Sequence, residues 1–146
     1  MDPTHTRPTP TDPIDRAALL DAARAVRLNA YAPYSRFRVG AALLAKSGTL
    51  YKGVNVENAS YPVGCCAERH AIGALWTAGE REAVAVAVVT DADVPVLPCG
   101  MCAQALFELN PDLIVVAQAG AGGPTRELTM REILPHAYQG EGLERR

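Results

Sequence analysis

Residues 83–118 read AVAVAVVTDADVPVLPCGMCAQALFELNPDLIVVAQ, and they decide the fold class. Ala83 to Thr90 is apolar throughout, the pattern of a central strand covered on both faces. Asp91 to Pro98 reads as a loop. Cys99 to Leu109 follows as a short helix, halted at Asn110-Pro111 because the residue before a proline is pushed out of helical geometry. Leu113 to Gln118 is a second apolar strand. Strand, helix and strand in succession point to an α/β architecture.

The flanking sequence extends that unit. Upstream, Cys66 to Ala78 predicts a helix with Ala67, Ala71, Ala74, Leu75 and Ala78 on a small-residue face and Gly79 as its terminator. Asn58 to Gly64 is a loop. Phe37 to Leu44 and Leu50 to Val56 predict a hairpin around Ser47-Gly48. Before it, Ile14, Leu19, Leu20, Ala22, Ala23, Val26 and Ala30 line one face of a helix, with Asp15, Arg16, Asp21, Arg24 and Arg27 opposite. Ala32-Pro33 should end that helix near Ala30. Downstream, Gly120 to Pro124 turns the chain, Arg126 to Leu128 suggests an edge strand, and Met130 to Leu134 a helical turn. The expected product is an α/β sandwich with a mixed sheet of about five strands.

The chain has 146 residues, 49% of them hydrophobic and 21% charged, with mean hydropathy +0.01, which fits one domain and excludes a disordered chain. Met1 to Pro13 holds four of the 11 prolines and is expected to be a disordered leader, with the domain over 14–138 and a flexible tail over 139–146. A net charge of −2 argues against a duplex-binding protein, which needs a basic face to neutralise phosphates. No apolar run is long enough for a bilayer and no secretory signal opens the chain, so a cytoplasmic location is expected.

Four cysteines, Cys65, Cys66, Cys99 and Cys102, carry the chemistry. In a reducing compartment such spacing points to metal or catalysis instead of disulfides. Cys99 and Cys102, three positions apart at the start of a helix, face one point. Cys66 opens the other predicted helix and can reach the same point. Helix N-termini stabilise thiolates, which prepares them to bind metal. Three soft ligands favour zinc and leave the fourth position for water. A redox pair at Cys99 and Cys102 would leave Cys66 unexplained, and a closed structural site would need Cys65, which points away from its neighbour. Glu68, two residues after Cys66, is placed to move protons near the metal; alone, it could equally be a solvated first-turn acid.

These residues resemble the cytidine deaminase family, whose zinc pattern of Cys-x-Glu followed by Pro-Cys-x-x-Cys is a known signature that Cys66 to Glu68 and Pro98 to Cys102 match. The resemblance runs from about Ile14 to Tyr138. It includes Ala30-Tyr31-Ala32-Pro33-Tyr34-Ser35, Phe37-x-Val39-Gly40-Ala41-Ala42 and Gly53-x-Asn55-x-Glu57-Asn58-Ala59, which look like the short-chain, free-nucleoside branch. It implies a three-layer α/β/α sandwich and a homotetramer whose active sites are completed by neighbouring subunits. One Zn²⁺ per subunit would sit on Cys66, Cys99 and Cys102, and zinc-bound hydroxide would attack C4 of cytidine or 2'-deoxycytidine with Glu68 as proton shuttle, in pyrimidine salvage. Asn55 and Glu57 would hold the ribose hydroxyls, Phe37 would pack on the pyrimidine, and Ala67 would contact substrate. Ala59 and Tyr61 would reach the nucleoside of an adjacent subunit. Tyr138 would close over the base. Arg69 would hydrogen-bond the thiolates, offsetting their excess negative charge.

The chain departs from the pattern at three places. Ala103 stands where the family commonly has arginine, which leaves open a rival substrate class, modified cytidines or a cytosine-nucleoside antibiotic such as blasticidin S. Cys65 replaces a polar residue and reads as a spectator thiol. His70 replaces a smaller residue and reads as a helix-surface side chain. Nucleic acid and membrane are not expected partners, and a catalytically silent zinc-stabilised assembly protein would have no use for Glu68.

Overall fold

A computed structural model of the chain describes residues 13–140. In chain order it contains α1 (Arg16–Arg27), β1 (Val39–Ala45), β2 (Leu50–Val54), a 3-10 turn (Tyr61–Val63), α2 (Ala67–Thr77), β3 (Ala83–Thr90), α3 (Gly100–Leu109), β4 (Ile114–Ala119), β5 (Thr125–Thr129) and α4 (Met130–Ile133). The expected leader, apart from Pro13, and the expected tail, apart from Gln139 and Gly140, lie outside the described residues.

The strands form one sheet in the order β2-β1-β3-β4-β5. Only β3 and β4 run parallel, joined through α3, so the sheet is mixed as expected. β3 takes the centre. Its alternate residues feed two separate cores: Val86 and Val88 pack with Ala41, Leu43, Ala71, Leu75, Leu106 and Val115 beneath α2 and α3, while Ala85, Ala87 and Val89 pack with Leu19, Leu20 and Ala23 of α1. Apolar residues at every position of β3 from Ala83 to Val89 are what a sheet covered on both faces requires, and the result is a three-layer α/β/α sandwich.

Two glycines set how closely the layers approach. A Cβ on Gly40 would lie 2.2 Å from the Ala23 carbonyl oxygen, and one on Gly53 would lie 2.2 Å from the Ala67 carbonyl oxygen. The helix backbones therefore rest directly on the strands, α1 against β1 and α2 against β2. The second contact matters for function, because Ala67 opens the helix that carries Cys66 and Glu68. Gly53→Ala is expected to force α2 off the sheet, costing about 3 kcal/mol as an overpacked core does; denaturant unfolding together with bound-zinc measurement checks both the fold and the site.

Three sequence expectations need correction. α1 ends at Arg27, capped by Leu28, so the helix is shorter than the pattern to Ala30 suggested. Arg27, placed on the polar face, is buried at 7% exposure: it donates to the Thr90 carbonyl at 2.9 Å and pairs with Asp91 at 2.8 Å. A charged side chain tolerates that position because it caps the end of the central strand with partners in place. His70 is not a free surface residue either, since its Nδ1 lies 2.7 Å from the Val54 carbonyl and ties α2 to β2.

Candidate active site

Cys66 and Cys99 are the N-cap residues of α2 and α3, and neither side chain caps its own helix. Both sulfurs are thus free to turn outward, toward the point where the two helix N-termini converge. Cys102 sits on the first turn of α3, fully buried. The three Sγ atoms lie within 4.8 Å of one another, with Cys66 and Cys99 at 4.0 Å. Tetrahedral zinc with bonds of about 2.3 Å places thiolates about 3.8 Å apart, so the donor set fits this ion with little movement. Cys65 is outside the cluster, its thiol directed to the Cys66 carbonyl at 3.6 Å.

The electrostatics favour one thiolate before any metal binds. Hydrogen bonding from Cys102 holds the Cys66 thiol down to about 5, with Arg69 and Cys99 adding to the effect against the cost of burial. The same hydrogen bond and burial push Cys102 upward. Burial opposes the charge of Arg69, but its hydrogen bond to Cys66 and the nearby sulfurs hold its pKa above the ordinary value. The Arg69 Nε is buried without a hydrogen-bond partner, so this guanidinium keeps donor capacity in reserve. Glu68 occupies the first turn of α2 at 5% exposure, and burial raises its carboxyl above the usual range. A solvated first-turn acid would do neither.

Beside the cysteines runs a cleft of about 380 Å³ lined by Asn55, Glu57, Tyr61, Cys65, Cys66 and Arg69, among others. Its wall follows from a change of partner. β2 pairs with β1 only as far as Val54; the next residues instead bridge Tyr31 on one side and Cys65 on the other. Val56 and Cys65 exchange both backbone hydrogen bonds at 3.0 Å in an antiparallel bridge, which brings Asn55 opposite Cys66 and Glu57 opposite Gly64. Asn55 is clamped between the Val39 N–H at 2.8 Å and the Phe37 carbonyl at 2.7 Å. Glu57 accepts from the Tyr34 and Ser35 N–H groups at 2.9 and 3.2 Å and from the Ser35 hydroxyl. The hydroxyl, helped by those N–H groups against desolvation, holds the Glu57 carboxyl below its ordinary value, so it is an anion with its position fixed.

Most of the residues singled out in the sequence meet here, and a few stand apart. Cys66, Arg69, Asn55, Glu57 and Tyr61 line the cleft; Cys99 and Cys102 complete the sulfur cluster; Ala67 and Glu68 are buried at the start of α2. Phe37 lies at the entry to β1, tied to the site through its carbonyl. Ala59 and Tyr61 are exposed, the latter at 84%. Tyr138 lines a separate depression with His136, Ala137 and Gln139. Two polar residues have no role assigned from the sequence. Ser35 fixes Glu57, and Gln104 hydrogen-bonds the Tyr138 backbone in both directions. Hydroxyl and amide side chains are too common on surfaces for type alone to single them out.

Comparison with known proteins agrees with this geometry. Residues 14–118 match the family model described as the cytidine and deoxycytidylate deaminase zinc-binding region. The cytidine deaminase of Halalkalibacterium halodurans is 45% identical over 130 residues, 89% of this chain and 98% of the relative. Among solved structures, the cytidine deaminase of Burkholderia pseudomallei aligns with a TM-score of 0.81 at 44% identity, covering 86% of this chain and all of that one. That of Mycobacterium leprae aligns at 0.73 and 41% identity, over 85% of this chain. A three-thiolate cluster at two helix N-termini, on this sheet and with these relatives, means that the chain belongs to the cytidine and deoxycytidylate deaminase family, enzymes that use zinc to hydrolyse an amine from a cytosine ring.

Proposed function

We propose that the chain deaminates cytidine and 2'-deoxycytidine hydrolytically, giving uridine or 2'-deoxyuridine and ammonia in pyrimidine salvage. The observation that carries this reading is Glu68: a buried carboxylate two residues after Cys66, at the mouth of a helix whose N-cap is a metal ligand. Cys66, Cys99 and Cys102 would hold the zinc, which supplies Lewis acidity to the attacking water when bound. Glu68 takes a proton from that water and delivers it to N3 of the ring, then to the departing amine. Burial raises the Glu68 carboxyl above the usual range, which strengthens it as a base toward water. Arg69 lies against the sulfurs and compensates their charge.

Asn55 and the ionised Glu57 bind the ribose hydroxyls, which suits the cleft they line; Phe37 and Ala67 contact the base. The deaminase domain spans 14–138. Tyr31, Tyr34, Tyr61 and Tyr138 are all more than half exposed, an unusual loss of aromatic burial for one chain. That exposure supports a homotetramer in which Ala59 and Tyr61 reach a neighbour's nucleoside while Tyr138 covers the base. No helix among the described residues is long and apolar enough to cross a membrane, and the enzyme works in the cytoplasm on free nucleosides, not on nucleic acid. Ala103, on α3, is buried in the core and does not line the cleft, so the reading of an ordinary ribose over a modified or antibiotic nucleoside rests on Asn55 and Glu57.

One preparation tests the whole reading. Zinc content near one per chain, ammonia release from cytidine and 2'-deoxycytidine, and sedimentation as a tetramer are the expected results. Release only from a modified cytidine or blasticidin S would overturn the substrate, deamination of an oligonucleotide would overturn the partner class, and a fully active monomer would overturn the shared site.

A further inference from the structure

We propose that Gln104 is a positioning residue that fixes Tyr138, the aromatic assigned above to the base, by pairing with both backbone polar groups of that tyrosine. The proposal rests on the reading of Tyr138 given above and extends it to a residue without an assigned role. The Gln104 Nε2 donates to the Tyr138 carbonyl at 2.7 Å, and its Oε1 accepts from the Tyr138 N–H at 3.2 Å. The two residues are 34 positions apart, so this is a tertiary contact and not local turn geometry.

Three features make the pairing more than an incidental surface contact. First, an amide is one of few side-chain groups that offer a donor and an acceptor in one plane; a carboxylate could serve only the N–H and a guanidinium only the carbonyl. Gln104 thus acts as a single rung of sheet ladder. Second, Tyr138 has little else to orient it. The chain is anchored as far as Leu134 and Ala137, which pack on the main core, and by the capping box of Thr129 and Glu132 that opens α4. Tyr138 then turns outward at 67% exposure, and both of its own backbone polar groups are taken by Gln104. Third, Gln104 stands on α3, the helix whose first turn presents Cys99 and Cys102. The clamp on Tyr138 is therefore anchored in the same rigid helix as two of the metal ligands.

A group that orients an aromatic against the substrate's base contributes to binding in the ground and transition states alike, which appears in KM and not in kcat. The hydrogen bonds themselves can be read without activity. Chymotrypsin cleaves after an exposed tyrosine only when that residue's carbonyl enters the protease's oxyanion hole, and in this structure Gln104 occupies the Tyr138 carbonyl. The test uses the zinc-loaded full chain and three variants: Gln104→Ala, Gln104→Met, which keeps the side chain's bulk without its polar groups, and Tyr138→Ala. For both Gln104 variants, cleavage after Tyr138 should accelerate about tenfold, the worth of about one net hydrogen bond. KM for cytidine should rise by a similar factor with kcat within about twofold of the parent. Parent-like cleavage in both variants would overturn the clamp. A Gln104→Met enzyme that behaves as the parent would show that bulk, not pairing, matters, and would overturn it too. Faster cleavage with unchanged KM, while Tyr138→Ala raises KM, would leave Gln104 without a positioning role. An unchanged KM in Tyr138→Ala would instead remove Tyr138 from the site, a failure separable from that of the clamp because the cleavage rates stand independently.

Discussion

Glu68→Gln is expected to fold, to keep its zinc, and to lose turnover of cytidine by about 10³-fold or more, the upper range for removal of a general acid–base group. The substitution changes little else. Glutamine has the same shape, so the buried first turn of α2 keeps its packing, and none of the three sulfurs is touched. Burial already disfavours the Glu68 carboxylate, so a neutral amide at that position relieves a cost. The amide gives up an anion near a helix N-terminus, worth about 0.5 kcal/mol. Thermal stability should accordingly stay level or rise slightly. What disappears is the ability to accept a proton from water and return it to nitrogen, because an amide can do neither at neutral pH. Bound zinc by elemental analysis, a melting curve and ammonia release form the check. Turnover within tenfold of the parent would assign the proton transfers elsewhere, and it would restore the alternative in which this carboxylate is an ordinary helix-start acid.

The sequence shows unequal amounts of the fold and of the site, and the reason differs for each element. The central strand is legible to the residue because uniform apolarity has few explanations once the run is eight residues long. The starts of α2 and α3 are legible because each follows a loop and opens a run with helical spacing of small and apolar residues. The end of α1 is not. Arg27 looks like a solvated charge until Asp91, 64 positions along the chain, supplies its partner. The same holds for His70, whose carbonyl partner belongs to a strand that periodicity cannot place beside it. In the site, the metal ligands and Glu68 stand out through residue type and spacing. The supporting contacts do not: Ser35 on Glu57, Phe37 and Val39 backbone on Asn55, and Gln104 on Tyr138 all depend on which segments meet in space. The switch of β2 from pairing with β1 to bridging Tyr31 and Cys65 is the least legible step and the one that builds the cleft wall.

Cys102→Ser should release the zinc, and with it turnover, whereas Cys65→Ser should retain a full complement of metal. The contrast follows from geometry. Cys102 lies fully buried on the first turn of α3 with its sulfur in the three-atom cluster; Cys65 is one residue from a ligand, yet its thiol points to a backbone carbonyl. A zinc site of about 12 kcal/mol that loses one ligand of three forfeits roughly a third of its binding, about 4 kcal/mol or about 10³ in affinity. Serine is a poor replacement, since its hydroxyl ionises far less readily than a thiol and is a harder donor than zinc prefers beside two thiolates. The fold also feels the loss. Without zinc, the N-termini of α2 and α3 are joined at this point only by weak contacts between sulfurs, so the unfolding midpoint should fall in the variant and fall equally in the parent after chelation. Competition with a chromogenic chelator, followed by denaturant unfolding of both variants with and without added zinc, reads each part. If Cys65→Ser loses metal as Cys102→Ser does, the site is closed by four cysteines and has no position for water, and the hydrolytic reading falls with it. If the parent alone among the three is stabilised by zinc beyond its apo midpoint, the same conclusion follows. Retention by Cys65→Ser, with loss in Cys102→Ser, leaves three ligands and an open fourth position beside Glu68, the arrangement that hydrolysis requires.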